Sequence, residues 1–195
     1  KQSLQEAQEA LRQALQSQTS RSPMPYGRDG SFRPITALEP LRRQPGKIAV
    51  HHHLYYLDMI EEMFSWLSRM PFAYDAVLTV SQPEAAHQVE REALHRGGSN
   101  LNALQVHVVP NRGRDIAAFL CAMGTIYRQY DYLAHVHTKK SLYSGGEKAR
   151  WRQYLMESLF GDETLIRRIF GLFERHPEIG LIYPETAPEM PYWCH

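Results

Sequence analysis

Most of the features that simplify a functional reading are missing from this sequence. Two cysteines in 195 residues, Cys121 and Cys194, cannot form a disulfide framework, and such sparing use points to a reducing compartment. No apolar run approaches the roughly 20 residues needed to cross a bilayer. The polar start, residues 1–18, does not read as a secretory signal. Neither sign of charge is in excess: 22 Lys and Arg face 21 Asp and Glu, a formal net charge of +1. A nucleic-acid-coating protein usually shows a clear basic excess, so no nucleic-acid partner is expected. A Gly-x-Ser-x-Gly elbow, a phosphate loop ending in Gly-Lys-Ser/Thr and a Cys-x-x-Cys pair are all lacking. What remains is ordinary globular usage, 43% hydrophobic and 22% charged, which excludes wholesale disorder. One figure stands out: ten histidines, several of them clustered.

Residues 1–18 carry Leu4, Leu11 and Leu15 on one stripe of a polar helix, too thin for a core of its own. Residues 20–46 turn to Ser, Pro, Gly and Arg, so 1–46 is expected to be a helix and linker arm, with a compact domain over 47–195. In that domain Ile48, Ala49 and Val50 open a strand that runs on through His51, His52 and His53. Leu57, Ile60, Phe64 and Leu67 recur at helical spacing. Residues 76–80 (AVLTV) make a second strand, 84–96 a polar helix stopped by Gly97-Gly98, and Val106, Val108 and Val109 a third strand. Asp115 is placed to cap a helix with Ile116, Phe119, Leu120, Met123 and Tyr127 along one face. Cys121 falls in that helix and is expected to pack. Residues 132–138 (YLAHVHT) form a fourth strand. Two helices follow, marked by Trp151, Tyr154, Leu155 and Leu159 and by Leu165, Ile166, Ile169, Phe170 and Phe173. Residues 179–183 (IGLIY) form a fifth strand before a Pro-rich tail. Strands alternating with helices predict an α/β fold, a mainly parallel sheet of about five strands covered on both faces. Ligands of such sheets bind beyond the carboxyl ends of the strands.

Polar groups gather at those ends. Gly113 lies between Arg112 and Arg114 just before a helix, a setting for a tight turn with amides at a helix N-terminus and two planar donors for phosphate or carboxylate. Asp115 either caps that helix or binds a sugar hydroxyl. Alternation puts His135 and His137 on one face, where paired imidazoles bind a metal, bind diphosphate or orient a hydroxyl. Thr138, Lys139, Lys140 and Ser141 follow, and lysine neutralises phosphate without a metal. His51 and His53 share a face and His52 takes the other; His53, nearest the strand end, is the candidate, and Tyr56 follows it.

The strings KIAVHHHLYY (47–56), NRGRDI (111–116), HVHTKKS (135–141), Trp151 and IGLIYP (179–184) come in an order that resembles the rhamnan synthesis protein F family over about residues 47–193. The resemblance implies a glycosyltransferase of bacterial surface-polysaccharide assembly, such as O-antigen or lipopolysaccharide. Its donor would be a nucleotide sugar, for instance of rhamnose, and its acceptor lipid-linked or a growing polysaccharide. The same resemblance implies a cytoplasmic location with peripheral association at the inner face of the membrane, and members that run on beyond residue 195. A more distant resemblance is to GT-A glycosyltransferases, with a Rossmann-like sheet, an Asn-x-Gly turn after the third strand and an Asp-x-Asp motif later. Asn111-Arg112-Gly113 stands at the turn, and His135-Val136-His137 stands where the aspartates hold Mg²⁺ or Mn²⁺. That departure implies metal-independent transfer, with Asn111, Arg112, Gly113, Arg114, Asp115, His53, Tyr56, His135, His137, Thr138, Lys139 and Lys140 on the donor side; a metal, if used, would sit on His135 and His137. The general base of such enzymes generally lies beyond the fifth strand, which here offers Glu185 and Glu189. The other readings are a noncatalytic module that binds a sugar nucleotide or glycan, and a zinc hydrolase built on His53, His135 and His137.

Overall fold

The computed structural model describes residue 35, residues 38–138 and residues 147–184. Contacts divide the chain into two units, Lys1–Leu38 and Glu39–His195. The second is built on four strands, β1 (Ile48–His53), β2 (Tyr74–Val80), β3 (Leu101–Val108) and β4 (Tyr132–His137). All pair in parallel, in the order β3-β2-β1-β4. Five helices accompany them among the described residues: α1 (Ile60–Leu67), α2 (Pro83–Arg96), α3 (Arg114–Met123), α4 (Glu147–Phe160) and α5 (Glu163–Arg175).

Each element follows from local chemistry. β1 is buried along its whole length, which is why it reads as a run without polar alternation. α2 starts on Pro83, whose missing N–H costs nothing in a first turn, and carries His95 and Arg96 at its negative end. α5 is capped by Asp162, whose carboxylate accepts from the Leu165 amide at 2.8 Å.

Alternation then divides the sheet. One face presents Val50, Leu78, Val80 and Val136 to α1, α2, α4 and α5, through Phe64, Leu67, Val89, Phe160, Ile166 and Phe170. Each such side chain contributes about 1.5–3 kcal/mol by leaving water, so this face carries most of the stability. The other face holds a small cluster, Ala49 and Val77 against Ala122 and Met123 of α3. Residues 39–46, linker-like in composition, belong to the second unit: the Leu41 amide donates to the Arg167 carbonyl, and the Gln44 side chain both donates to and accepts from the Ala73 backbone at 3.0 Å.

Four expectations need correction. Residues 179–183 are not a strand: no described residue pairs with them, and Leu181 and Tyr183 are 73% and 61% exposed. An apolar run becomes a strand only where a neighbour supplies a hydrogen-bond ladder. The inner face of α3 is Ala118, Ala122 and Met123, while Ile116 and Leu120 are exposed; small residues at i and i+4 let the helix lie close on the sheet. Cys121 is accordingly exposed rather than packed. Asp115 is not the cap of α3: that place is taken by Gly113, and Asp115 lies in the first turn.

Candidate functional site

The chain passes from β1 to β2 to β3 in one direction across the sheet, then returns to place β4 on the other side of β1. The strand order reverses between β1 and β4, and open parallel sheets bind their ligands at the carboxyl ends of strands at such a switch point. Register fills it with polar side chains. His53 lies beside Thr79 on β2 and His137 on β4, and Thr79 beside His107 on β3. Two residues back, and so on the same face, His51 lies beside His135. α3 covers this face, and its Phe119 ring rests on both His51 and His135, at 5.3 and 4.8 Å between centroids.

These groups form one hydrogen-bonded chain. His135 Nε2 is 3.4 Å from Asp115 Oδ2, His135 Nδ1 is 2.8 Å from His51 Nδ1, His51 Nε2 is 3.2 Å from Thr79 Oγ1, and Thr79 Oγ1 is 2.9 Å from His53 Nδ1. His137 stacks on His135 and brings its Nε2 to 3.8 Å from the same carboxylate oxygen. Burial, aided by the neighbouring rings, lowers the His51 pKa to about 3. It lowers His53 and His135 as well, against the pull of Asp115. For Asp115 burial acts upward, but His137, its own backbone amide and His135 outweigh it and the pKa falls. At neutral pH the cluster is therefore an ionised Asp115 facing neutral His51, His53 and His135 rings.

The arginine turn supplies the cationic rim. Asn111, Arg112, Gly113 and Arg114 are exposed, and Gly113 and Arg114 both adopt left-handed backbone, φ 69° and 56°. That conformation suits Gly113; at Arg114 it stores about 1–2 kcal/mol of strain. Arg112 and Arg114 are exposed, while Asp115, one residue on, meets the histidines.

Other expected site residues are placed as follows. The Thr138 hydroxyl accepts from the Tyr55 and Tyr56 amides at 3.0 and 3.1 Å and lies 3.3 Å from the His53 carbonyl, so it ties the end of β4 to the chain leaving β1. Tyr56 is half-buried, its ring edge-on to Tyr55. Lys139, Lys140, Ser141, Glu185 and Glu189 lie outside the described residues. His51, Thr79 and Phe119 escape a reading from sequence. Alternation puts His51 with His53, but only the β1–β2 and β1–β4 registers show that Thr79 and His135 join them. His52 points the other way: it is 3% exposed, its ring nitrogens have no partner among the described residues, and it lines a cavity of about 20 Å³ with Met63, Trp66 and Met156. A groove of about 600 Å³ at the amino ends of β2 and β3 is far from this chemistry; its Arg69 and Arg167 are already bonded to Gly161 and Glu163.

The cluster does not suit Mg²⁺ or Mn²⁺, which take oxygen ligands. It offers one carboxylate, already shared by two imidazoles. Among the described residues no three His, Cys, Asp or Glu side chains are arranged to hold a metal ion, and the histidines bond one another and Thr79 instead of converging on a point.

Fold and site together define an open parallel α/β protein with a hydrogen-bonded polar cluster at its topological switch point. The family model for rhamnan synthesis protein F matches residues 31–192, and the chain belongs to that family. Its context is therefore rhamnan polysaccharide synthesis. No curated protein and no solved structure matches the chain. Among the described residues no helix is long and apolar enough to cross a membrane.

Proposed function

We propose that residues 47–195 form the GT-A-like donor-binding domain of a glycosyltransferase, which moves a sugar such as rhamnose from a nucleoside diphosphate to a polysaccharide or lipid-linked acceptor at the inner face of the membrane. The observation that carries the reading is the 3.4 Å contact of Asp115 with His135, which joins the Arg112–Arg114 turn to the end of β4. A diphosphate laid there meets two guanidinium groups and the amino end of α3. His137, with its side chain 36% exposed, stands beside it. Arg112 and Arg114, joined in this reading by Lys139 and Lys140, replace the electrostatic role of a divalent cation by stabilising charge on the departing diphosphate. His135 does not share that role as a cation, because burial keeps its ring neutral.

Calorimetric titration with UDP, GDP and dTDP in EDTA tests this. One of them binds, and Arg114→Ala weakens it at least about tenfold, the usual loss with a charge-assisted hydrogen bond, while the remote Arg96→Ala does not. Binding only with added Mg²⁺ or Mn²⁺ refutes the metal-free part, and no binding of any of the three refutes the donor site. Binding without transfer to any acceptor assigns the chain to a noncatalytic sugar-nucleotide module.

A further inference from the structure

The hydrogen-bonded chain across β4, β1 and β2 has a direction, and one group sets it. Ionised Asp115 is an acceptor only, so the His135 nitrogen facing it, Nε2, carries the hydrogen. In a neutral ring His135 Nδ1 is then a lone pair and accepts from His51 Nδ1–H across 2.8 Å. His51 Nε2 is left as an acceptor and takes the Thr79 hydroxyl hydrogen, and Thr79 Oγ1 in turn accepts from His53 Nδ1–H. Every link has one donor and one acceptor, and the assignment ends on a bare Nε2 lone pair on His53. The described residues give that atom no hydrogen bond, and it is not among the fully enclosed polar atoms that lack one. The reverse assignment would point a lone pair of His135 at the Asp115 carboxylate. Phe119 packs over His51 and His135 and keeps water from competing for the links.

We propose that His53 Nε2 is the proton acceptor of this site, and that Asp115, His135, His51 and Thr79 form a relay that holds it unprotonated and carries the proton away. The proposal rests on the glycosyltransferase reading for the identity of the proton donor, the acceptor hydroxyl. As the acceptor oxygen bonds to the anomeric carbon and the carbon–phosphate oxygen bond breaks, the nucleoside diphosphate leaves with the electron pair. The hydroxyl proton passes to His53 Nε2. His53 Nδ1–H moves to Thr79, the Thr79 hydrogen to His51 Nε2, and His51 Nδ1–H to His135 Nδ1. The charge ends as a His135 imidazolium against Asp115, the carboxylate of the cluster. Burial disfavours a cation on all three rings, and the contact with Asp115 is what makes His135 the place where the transient charge is offset. His53 is a catalytic residue in this account; Thr79 and His51 are positioning residues.

Two measurements on the whole chain test it. Long-range ¹H–¹⁵N NMR of the unliganded protein reads the tautomers directly. His53 is expected as the Nδ1–H form with bare Nε2, and Thr79→Val, which removes the hydroxyl at nearly constant shape, is expected to release that preference. In transfer assays His53→Gln should lose about 10²–10⁴-fold in kcat, the usual contribution of a general base, with nucleoside diphosphate affinity within about twofold of the parent. Thr79→Val should lose a smaller factor, again in kcat. An Nε2–H His53 in the parent protein, an unmoved His53 tautomer in Thr79→Val, or undiminished transfer by His53→Gln overturns the proposal. Failure of the parent to bind any nucleoside diphosphate overturns the glycosyltransferase reading instead, and the tautomers still decide the relay.

Discussion

Replacing His52 with leucine should stabilise this protein, and more so in acid. His52 is 3% exposed on the main-core face of β1, and neither ring nitrogen has a hydrogen-bond partner among the described residues. Leaving a buried polar group unpaired costs about 1–3 kcal/mol, so an apolar side chain of similar size should gain about 1 kcal/mol at pH 7.5. Acid adds to this. Burial, reinforced by His51 and the other nearby rings, holds the His52 pKa well below its ordinary 6.5, so the folded state keeps the ring neutral while the unfolded chain protonates it. The unfolded state then binds more protons, and stability falls as pH drops below 6.5. For a ring that stays neutral when folded, the loss is negligible at pH 7.5 and reaches about 2 kcal/mol at pH 5.0. His51, His53 and His135 are present in both proteins and cancel in the comparison. Urea unfolding at the two pH values, analysed with a common slope, should therefore show the stability gap widening by about 2 kcal/mol on acidification. A gap that stays constant refutes the linkage argument. A variant less stable at pH 7.5 would show that the ring is satisfied after all, by water in the 20 Å³ cavity beside it.

Two further outcomes bear on the ends of the strands. A Cβ at Gly113 would stand 2.5 Å from the Ala117 Cβ, at a φ of 69° that L side chains rarely adopt. Gly113→Ala should thus cost about 1–3 kcal/mol in urea unfolding and weaken nucleoside diphosphate binding by moving Arg112 and Arg114; unchanged stability would mean that the turn has another low-energy form. Thr138→Val strips two part-buried backbone amides of their acceptor and should cost about 1–3 kcal/mol in all. Thr138→Ser, which keeps the hydroxyl, should lose much less, and an unchanged stability in Thr138→Val would show that water serves these amides equally well.

Much of the architecture is legible in the sequence because it is local. The run through His53, the helical recurrence of Ile60, Phe64 and Leu67, and the break at Gly97 each depend on a few neighbouring residues, and these elements form where they are expected. The failures are tertiary. Residues 179–183 are as apolar as a strand but find no ladder partner among the described residues, and Ile116 and Leu120 lose the inner face of α3 to Ala118 and Ala122 because the helix must come close to Ala49 and Val77. Among the site residues, adjacency in the chain brings out Arg112, Gly113 and Arg114, and strand alternation pairs His135 with His137.

What no spacing encodes is which strand lies beside which. His51 and His135 are 84 positions apart, and Thr79 reaches His51 and His53 from a third strand. The sequence by itself determined an α/β chain with histidines at its strand ends, because side-chain periodicity and turn chemistry act over a few residues. Only the tertiary structure decided that β4 returns to the far side of β1. That return sets three imidazoles, a hydroxyl and a carboxylate in a single hydrogen-bonded line, since register between distant strands is a property of the sheet and not of any segment within it.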